Sequence, residues 1–283
     1  MHLDSIQKSY EQAGLLYDLF WAKRKSASLH FGYWDDGTKN LQDALKLHKQ
    51  QLADFAEMSR NAKVLDMGCG VGGAAIFLAN NFNSQVTGVN ISSSQLKEAE
   101  NNVQKAGLQN QILFLEVDYL NTKLPSENFD VLWAVESFFH CEDKIAFLKE
   151  AYRLLKPDGK LILADYFLTG LSKSKQDMQV LATWFEGFHI PNLLNIENLE
   201  VETKKVGFCS YEYKDISRAV MPSSKRLYQL GKLGTLSGQL IKWLPNSILD
   251  KLPFNLAHTK ATVAQYKALK KGLWQYGFCW MGK

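Results

Sequence analysis

Between Lys63 and Gly73 the chain reads K-V-L-D-M-G-C-G-V-G-G. A short apolar run closes on the carboxylate of Asp66 and turns through Gly68, Gly70, Gly72 and Gly73 toward a helix-forming stretch, Ala74 to Ala79. Glycine lets the backbone take positive φ and come close to a ligand, and the free N–H groups of the following helix face the same place. This is the chemistry of a ligand cradle. Gly68, Gly70 and Gly73 also satisfy G-x-G-x-x-G, the spacing of a dinucleotide turn. Asp66 argues against that ligand, because a carboxylate set before the turn repels a pyrophosphate and suits a cationic amine.

V-L-D-x-G-C-G-x-G resembles the first motif of class I S-adenosylmethionine (SAM) methyltransferases, whose cofactor carries an amino acid tail and a sulfonium and no phosphate. By that resemblance Asp66, Gly68 and Gly70 hold the methionine and ribose part of SAM. A second match stands about ninety residues on, where L-K-P-D-G-K-L (Leu155 to Leu161) fits the L-x-P-G/D-G-x-L step of the same family. L-H-F-G-Y-W (Leu29 to Trp34) resembles the H-x-G-Y approach loop of the tocopherol, sterol and macrolide branch, which implies Tyr33 over the cofactor tail. The plain alternative for this segment is an aromatic plug at the domain edge.

Further residues fall at the ends of expected strands. The strand Gln85–Val89 ends at Asn90, where the resemblance predicts an acid for the ribose hydroxyls. An amide can still accept one hydroxyl and donate to another oxygen. Ser92 then caps a helix with Gln95 in its first turn, and both Asn90 and Gln95 are assigned to the cofactor site. Asp118 follows the third strand and, by resemblance, takes the adenine amino group with Tyr119 alongside. E-S-F-F-H (Glu136 to His140) follows the fourth strand and resembles the turn that lies between cofactor and acceptor in this branch.

Methyl transfer is an in-line displacement at sulfur that mainly needs alignment and exclusion of water. His140 can take a proton from a hydroxyl acceptor, and Asp165, at the fifth strand, can orient it or share the hydroxyl. For an alkene acceptor, Glu136 and aromatic faces can stabilise a carbocation, with Glu136 or His140 as base. Phe138, Phe139, Trp133 and Trp184 are expected to form an apolar substrate pocket. A histidine bonding backbone at a helix start is the alternative for His140.

The elements that must position these residues follow from periodicity and punctuation. Leu41 to Met58 carries a helical apolar face, and apolar runs mark strands at Lys63–Asp66, Gln85–Val89, Ile112–Val117, the segment ending at Ala134, and the segment ending at Asp165. Leu171 to Gly207 reads as helical, Phe208 to Ile216 alternates as a strand, and Trp274 to Met281 reads as a last strand. Between them, Ser217 to Lys271 reads as helices broken at Gly231, Gly234 and Gly238, with Leu236, Leu240, Ile241, Trp243, Leu244, Ile248 and Leu249 as an apolar lid surface. Tyr10, Tyr17, Phe20 and Trp21 mark an N-terminal helix over Ser5–Lys25.

With 283 residues, 46% of them hydrophobic and 22% charged, the composition is that of a globular protein. Cys69, Cys141, Cys209 and Cys279 have neither zinc nor disulfide spacing, so no metal is expected and a reducing cytoplasm is. No apolar run is long enough to span a membrane, and no secretory signal is read at the start. From Ser217 to Lys283 eleven Lys or Arg face one acid, Asp250, within an overall charge of +4. This bias suits an anionic substrate or peripheral contact with lipid headgroups, and a solvated lysine face would look the same. No nucleic-acid module and no N-P-P-Y-like turn are present, which argues against a nucleic-acid partner.

The resemblance implies an α/β fold: a Rossmann-like class I methyltransferase with a seven-stranded, mostly parallel sheet, an antiparallel last strand and a helical cap. The expected organisation is a cap and approach loop over residues 1–60, a SAM-binding core over 61–216, a helical lid over 217–272 and a closing strand over 273–283. The implied activity is methylation of a hydrophobic small molecule, at oxygen or carbon rather than nitrogen, as in natural product biosynthesis. The alternative is a SAM-fold protein that keeps the cofactor structurally and catalyses a cyclisation or only binds ligand.

Overall fold

The computed structural model describes residues 27–241 and 256–283. The described chain begins with an extended segment, then α1 (Leu41–Phe55), β1 (Lys63–Met67), α2 (Gly73–Phe82), β2 (Gln85–Asn90), α3 (Ser93–Ala106), β3 (Ile112–Glu116) and β4 (Phe129–Val135). A single 3-10 turn (Phe138–His140) leads into α4 (Lys144–Leu154) and β5 (Leu155–Leu168). Then come α5 (Lys175–Phe188), α6 (Ile196–Val206), β6 (Ser210–Asp215), α7 (Ser217–Ile241), α8 (Leu256–Lys270) and β7 (Trp274–Gly282).

Local chemistry sets the helix boundaries. Asn40 accepts the N–H groups of Gln42 and Asp43 and starts α1, Ser92 accepts Gln95 N and starts α3, and Asp143 accepts Ala146 N and starts α4. Ser174 and Asp177 form a reciprocal capping box at α5, and Gly107 in the left-handed region stops α3.

The seven strands form one sheet in the order β3-β2-β1-β4-β5-β7-β6. β1 to β5 are parallel, and β7 runs antiparallel between β5 and β6. Strand alternation distributes the core to both faces. Val131 and Trp133 of β4 join Leu45 and Leu52 of α1, Phe77 and Leu78 of α2, and Trp184 of α5. Leu132 and Ala134 of β4 join Phe147, Leu148, Ala151 and Leu154 of α4 and Leu199 of α6 on the other face. Chain order reverses between β1 and β4, which opens a crevice beyond their carboxyl ends.

The segment between β6 and β7 differs from expectation in one respect. α7 runs unbroken through Gly231, Gly234 and Gly238. A Cβ at Gly231 would lie 1.9 Å from Thr262 Oγ1 and 2.8 Å from Thr259 O, so this glycine lets α7 and α8 cross closely and is not a hinge. The N-terminal helix expected over Ser5–Lys25, and Trp243, Leu244, Ile248 and Leu249 of the expected lid, lie outside the described residues; the side chains of Leu236, Leu240 and Ile241 do too.

Candidate active site

A cavity of about 300 Å³ lies beyond the carboxyl ends of β1, β2 and β4. Its lining brings together Asp66, Gly68, Gly70, Asn90, Gln95, Asp118, Tyr119, Glu136 and His140 from four separate stretches of the chain.

The two glycines of the turn do different work. Gly68, at φ +90°, lies where a Cβ would meet Ser137 Cβ at 2.5 Å, so it permits β1 to pack against the chain leaving β4. Among the described residues, no atom lies within 4 Å of a Cβ added at Gly70, at φ +52°, and Gly70 lines the cavity. Asp66 is 2% exposed, and its Oδ2 has no hydrogen-bond partner among the described residues. Burial pushes its carboxyl up to about 7, while Lys49 of α1 pulls it back. The same burial lowers the Lys49 ammonium to about 8, and Lys49 Nζ donates to Ser28 Oγ at 2.8 Å. A buried carboxylate with an unpaired oxygen beside an open glycine is a site for a cationic group. The ammonium end of SAM fits it; a pyrophosphate does not.

Around the opposite rim, Asn90 Nδ2 donates to Gln95 Oε1 at 2.7 Å, and Asn90 Oδ1 accepts Ser92 N at 3.3 Å. Asp118 Oδ1 accepts Leu120 N at 2.9 Å, and Tyr119 OH donates to Ser137 O at 3.2 Å. These bonds fix polar side chains at the cavity wall, where hydroxyls and an amino group of a nucleoside can meet them.

The chain from Glu136 to Cys141 is held at nearly every position. Ser137 Oγ donates to Met67 O at 2.6 Å. Lys144 Nζ donates to the carbonyls of Phe138, Phe139 and Cys141 at 2.7, 3.1 and 2.6 Å. Asp165 Oδ2 accepts Phe139 N at 3.2 Å, and its Oδ1 accepts Tyr166 N at 2.8 Å. His140 is thereby presented at the cavity, with its ring 3.8 Å from that of Phe139. Glu136 takes φ +49°, a strained value for a residue with a side chain. Its Oε1 accepts Phe31 N at 2.6 Å and Tyr276 OH at 2.9 Å, and its Oε2 accepts Tyr166 OH at 2.6 Å. Burial raises its carboxyl to about 7, against the pull of these donors.

Several expected positions lie elsewhere. Asp165 is fully buried and grips backbone under the 3-10 turn, so it neither orients the His140 ring nor reaches the cavity. Tyr33 stacks on Phe278 with centroids 6.4 Å apart, against β7 and away from the cavity. Gly32 explains the displacement: its missing Cβ lets the segment press onto Ala44 of α1, at 2.5 Å from where a Cβ would stand. Ser28, Leu29 and His30 line the cavity in its place. Phe138, Phe139, Trp133 and Trp184 are core residues, each at most 4% exposed, and none lines this cavity. Phe138 packs on Phe147 of α4, and Trp184 packs on Tyr166 and Trp274. Lys49, Lys144 and Ser137 escaped the sequence reading. Ser137 sits inside the E-S-F-F-H block, whereas nothing local marks either lysine as buried.

A family described as a methyltransferase domain matches residues 65–163. Methyltransferase GfsG of Streptomyces halstedii is 32% identical over 221 residues, 76% of each chain. The 27-O-demethylrifamycin SV methyltransferase of Amycolatopsis mediterranei (strain S699) is 29% identical over 224 residues, 78% of this chain and 79% of the relative. Among solved structures, the cyclopropane synthase MmaA2 from Mycobacterium tuberculosis superimposes with a TM-score of 0.81 at 16% identity, over 100% of this chain and 99% of the other.

Proposed function

This chain belongs to the class I SAM-dependent methyltransferases of the small-molecule branch, and we propose that it methylates a hydrophobic natural product, isoprenoid or lipid-like acceptor at oxygen or carbon. The observation that carries this reading is the unpaired Asp66 oxygen beside the open face of Gly70.

Bound SAM supplies an electrophilic methyl group on a sulfonium. The chain's own part is binding, alignment and exclusion of water. Asp66 takes the ammonium of the cofactor, Asn90 and Gln95 take ribose hydroxyls, and Asp118 with Tyr119 flanks the adenine. The Glu136–Cys141 segment, clamped by Lys144 and Asp165, faces the reacting end. A rigid backbone there favours rate, because misplacement of reacting atoms by even an ångström is costly. For a hydroxyl acceptor, His140 at the cavity wall receives the proton. Glu136 already accepts three hydrogen bonds, so it acts as a fixed negative charge near the acceptor rather than as a freely swinging base. The relative named for a 27-O-demethyl substrate supports methylation at oxygen within this class of acceptors.

Calorimetric titration of SAM tests the cofactor site. Gly70→Val places a branched side chain in the open space and should weaken binding about tenfold or more, from an overpacking cost of about 1–3 kcal/mol. Unchanged SAM affinity in that variant, or tight NAD binding by the wild type, would overturn the assignment.

A further inference from the structure

Behind Glu136 a chain of buried polar groups runs away from the cavity to α1. His48 is fully buried, and its Nε2 lies 3.2 Å from Tyr276 OH. The Tyr276 hydroxyl lies in turn 2.9 Å from Glu136 Oε1. His48 Nδ1 has no hydrogen-bond partner among the described residues. Neither His48 nor Tyr276 belongs to a family motif read in the sequence, and neither lines the cavity.

We propose that His48 and Tyr276 are positioning residues that hold Glu136 as an anionic hydrogen-bond acceptor at the reacting end of the cavity. The inference rests on the reading that the Glu136–Cys141 segment faces the acceptor. Burial keeps the His48 ring neutral, helped by His30, whose ring is 4.6 Å away, and by the neighbouring Lys49. A neutral imidazole has one N–H. Placed on Nδ1, that hydrogen would be a buried donor without an acceptor; placed on Nε2, it meets the Tyr276 oxygen and leaves only a lone pair unpaired. Orphaned buried donors are the rarer and costlier case, so the Nε2–H form is selected. The Tyr276 oxygen is then already accepting, and its own hydrogen is directed to Glu136 Oε1.

Glu136 thus receives three hydrogens, from Phe31 N–H, Tyr276 O–H of β7 and Tyr166 O–H of β5. A protonated carboxyl group would have to break one of these bonds to place its own hydrogen. The donors oppose burial and the nearby Asp165 of β5, both of which favour the neutral form. Removing the Tyr276 donor shifts that balance toward the neutral acid, and removing His48 frees Tyr276 to point at Ala164 O, 3.5 Å away.

Carbon-13 NMR of protein labelled at the glutamate carboxyls reads this directly, without an acceptor, once Glu136→Gln has identified the signal. In Tyr276→Phe the Glu136 midpoint should rise by about half to one pH unit, the equivalent of one lost hydrogen bond. His48→Leu should raise it by less, and His48→Gln, whose amide N–H can replace Nε2–H, should restore it. An unmoved midpoint in Tyr276→Phe overturns the proposal, as does a His48→Gln midpoint equal to that of His48→Leu. Nitrogen-15 shifts of wild-type His48 give a second test that needs no variant: the Nδ1–H form overturns the proposal, and the Nε2–H form is expected. A protein that binds SAM but transfers no methyl group would refute the enzymatic reading while leaving these midpoints as stated.

Discussion

Asp66 and His140 both line one cavity, and their surroundings differ. Asp66 is a buried carboxyl raised to about 7, so its charge is present above that pH and lost below it. SAM affinity should therefore fall as pH drops through about 7, by up to tenfold per unit, and Asp66→Asn should remove this dependence along with much of the affinity. Calorimetry between pH 5.5 and 8.5 reads both effects; a flat wild-type profile would mean that the ammonium is held elsewhere. His140 lines the cavity from the 3-10 turn after β4 and Asp66 from the end of β1, so His140→Ala should lower turnover while SAM affinity stays within about threefold, less than one neutral hydrogen bond. Steady-state rates beside a binding isotherm separate the two. Unaffected turnover would make His140 a structural residue at a 3-10 turn.

Helix packing gives glycine a second use in this chain. α7 and α8 touch at Gly231, where a Cβ would stand 1.9 Å from Thr262 Oγ1. Gly231→Val should force the helices apart and cost about 1–3 kcal/mol, read as a lowered melting temperature, with SAM affinity in the surviving fold unchanged. A melting temperature equal to wild type would restore the reading of a helix break at Gly231. The strands and the helix capped by Ser92 were legible in the sequence because their signals are local: an apolar run that ends on Asp66, Asn90 or Asp118, or a Ser92 ahead of a helix-forming segment. Gly231 was not, because the same residue type serves a break, a turn or a close crossing, and only the neighbouring helix decides which. Tyr33 and Asp165 failed for a related reason. Their strand-end and loop positions pointed to the site, but Gly32 packing on Ala44 turns the Tyr33 ring to the sheet, and backbone N–H groups claim both Asp165 oxygens. Nothing local marks Lys49 or Lys144 as buried, because their burial depends on the packing of the fold around them.

Taken whole, the molecule puts its ligand-facing groups at one edge of the sheet and its basic surplus on the segment between β6 and the C-terminus. Part of that surplus is structural: Lys271 pairs with Asp177 of α5 at 2.7 Å, and Lys283 donates to Leu155 O at 2.8 Å. The sheet order, with β7 antiparallel between β5 and β6, leaves the crevice at β1 and β4 as the place where a cofactor and an acceptor can meet. Methyl transfer between the two can be measured directly. The protein is incubated with methyl-deuterated SAM and a panel of apolar phenols, macrolactones and sterols, and S-adenosylhomocysteine is quantified beside deuterated product by mass spectrometry. S-adenosylhomocysteine and a product carrying the labelled methyl group are expected in equal amounts, both lost in Gly70→Val. Tight binding of SAM with acceptor converted but no label transferred, and no S-adenosylhomocysteine formed, would contradict methyl transfer between the two.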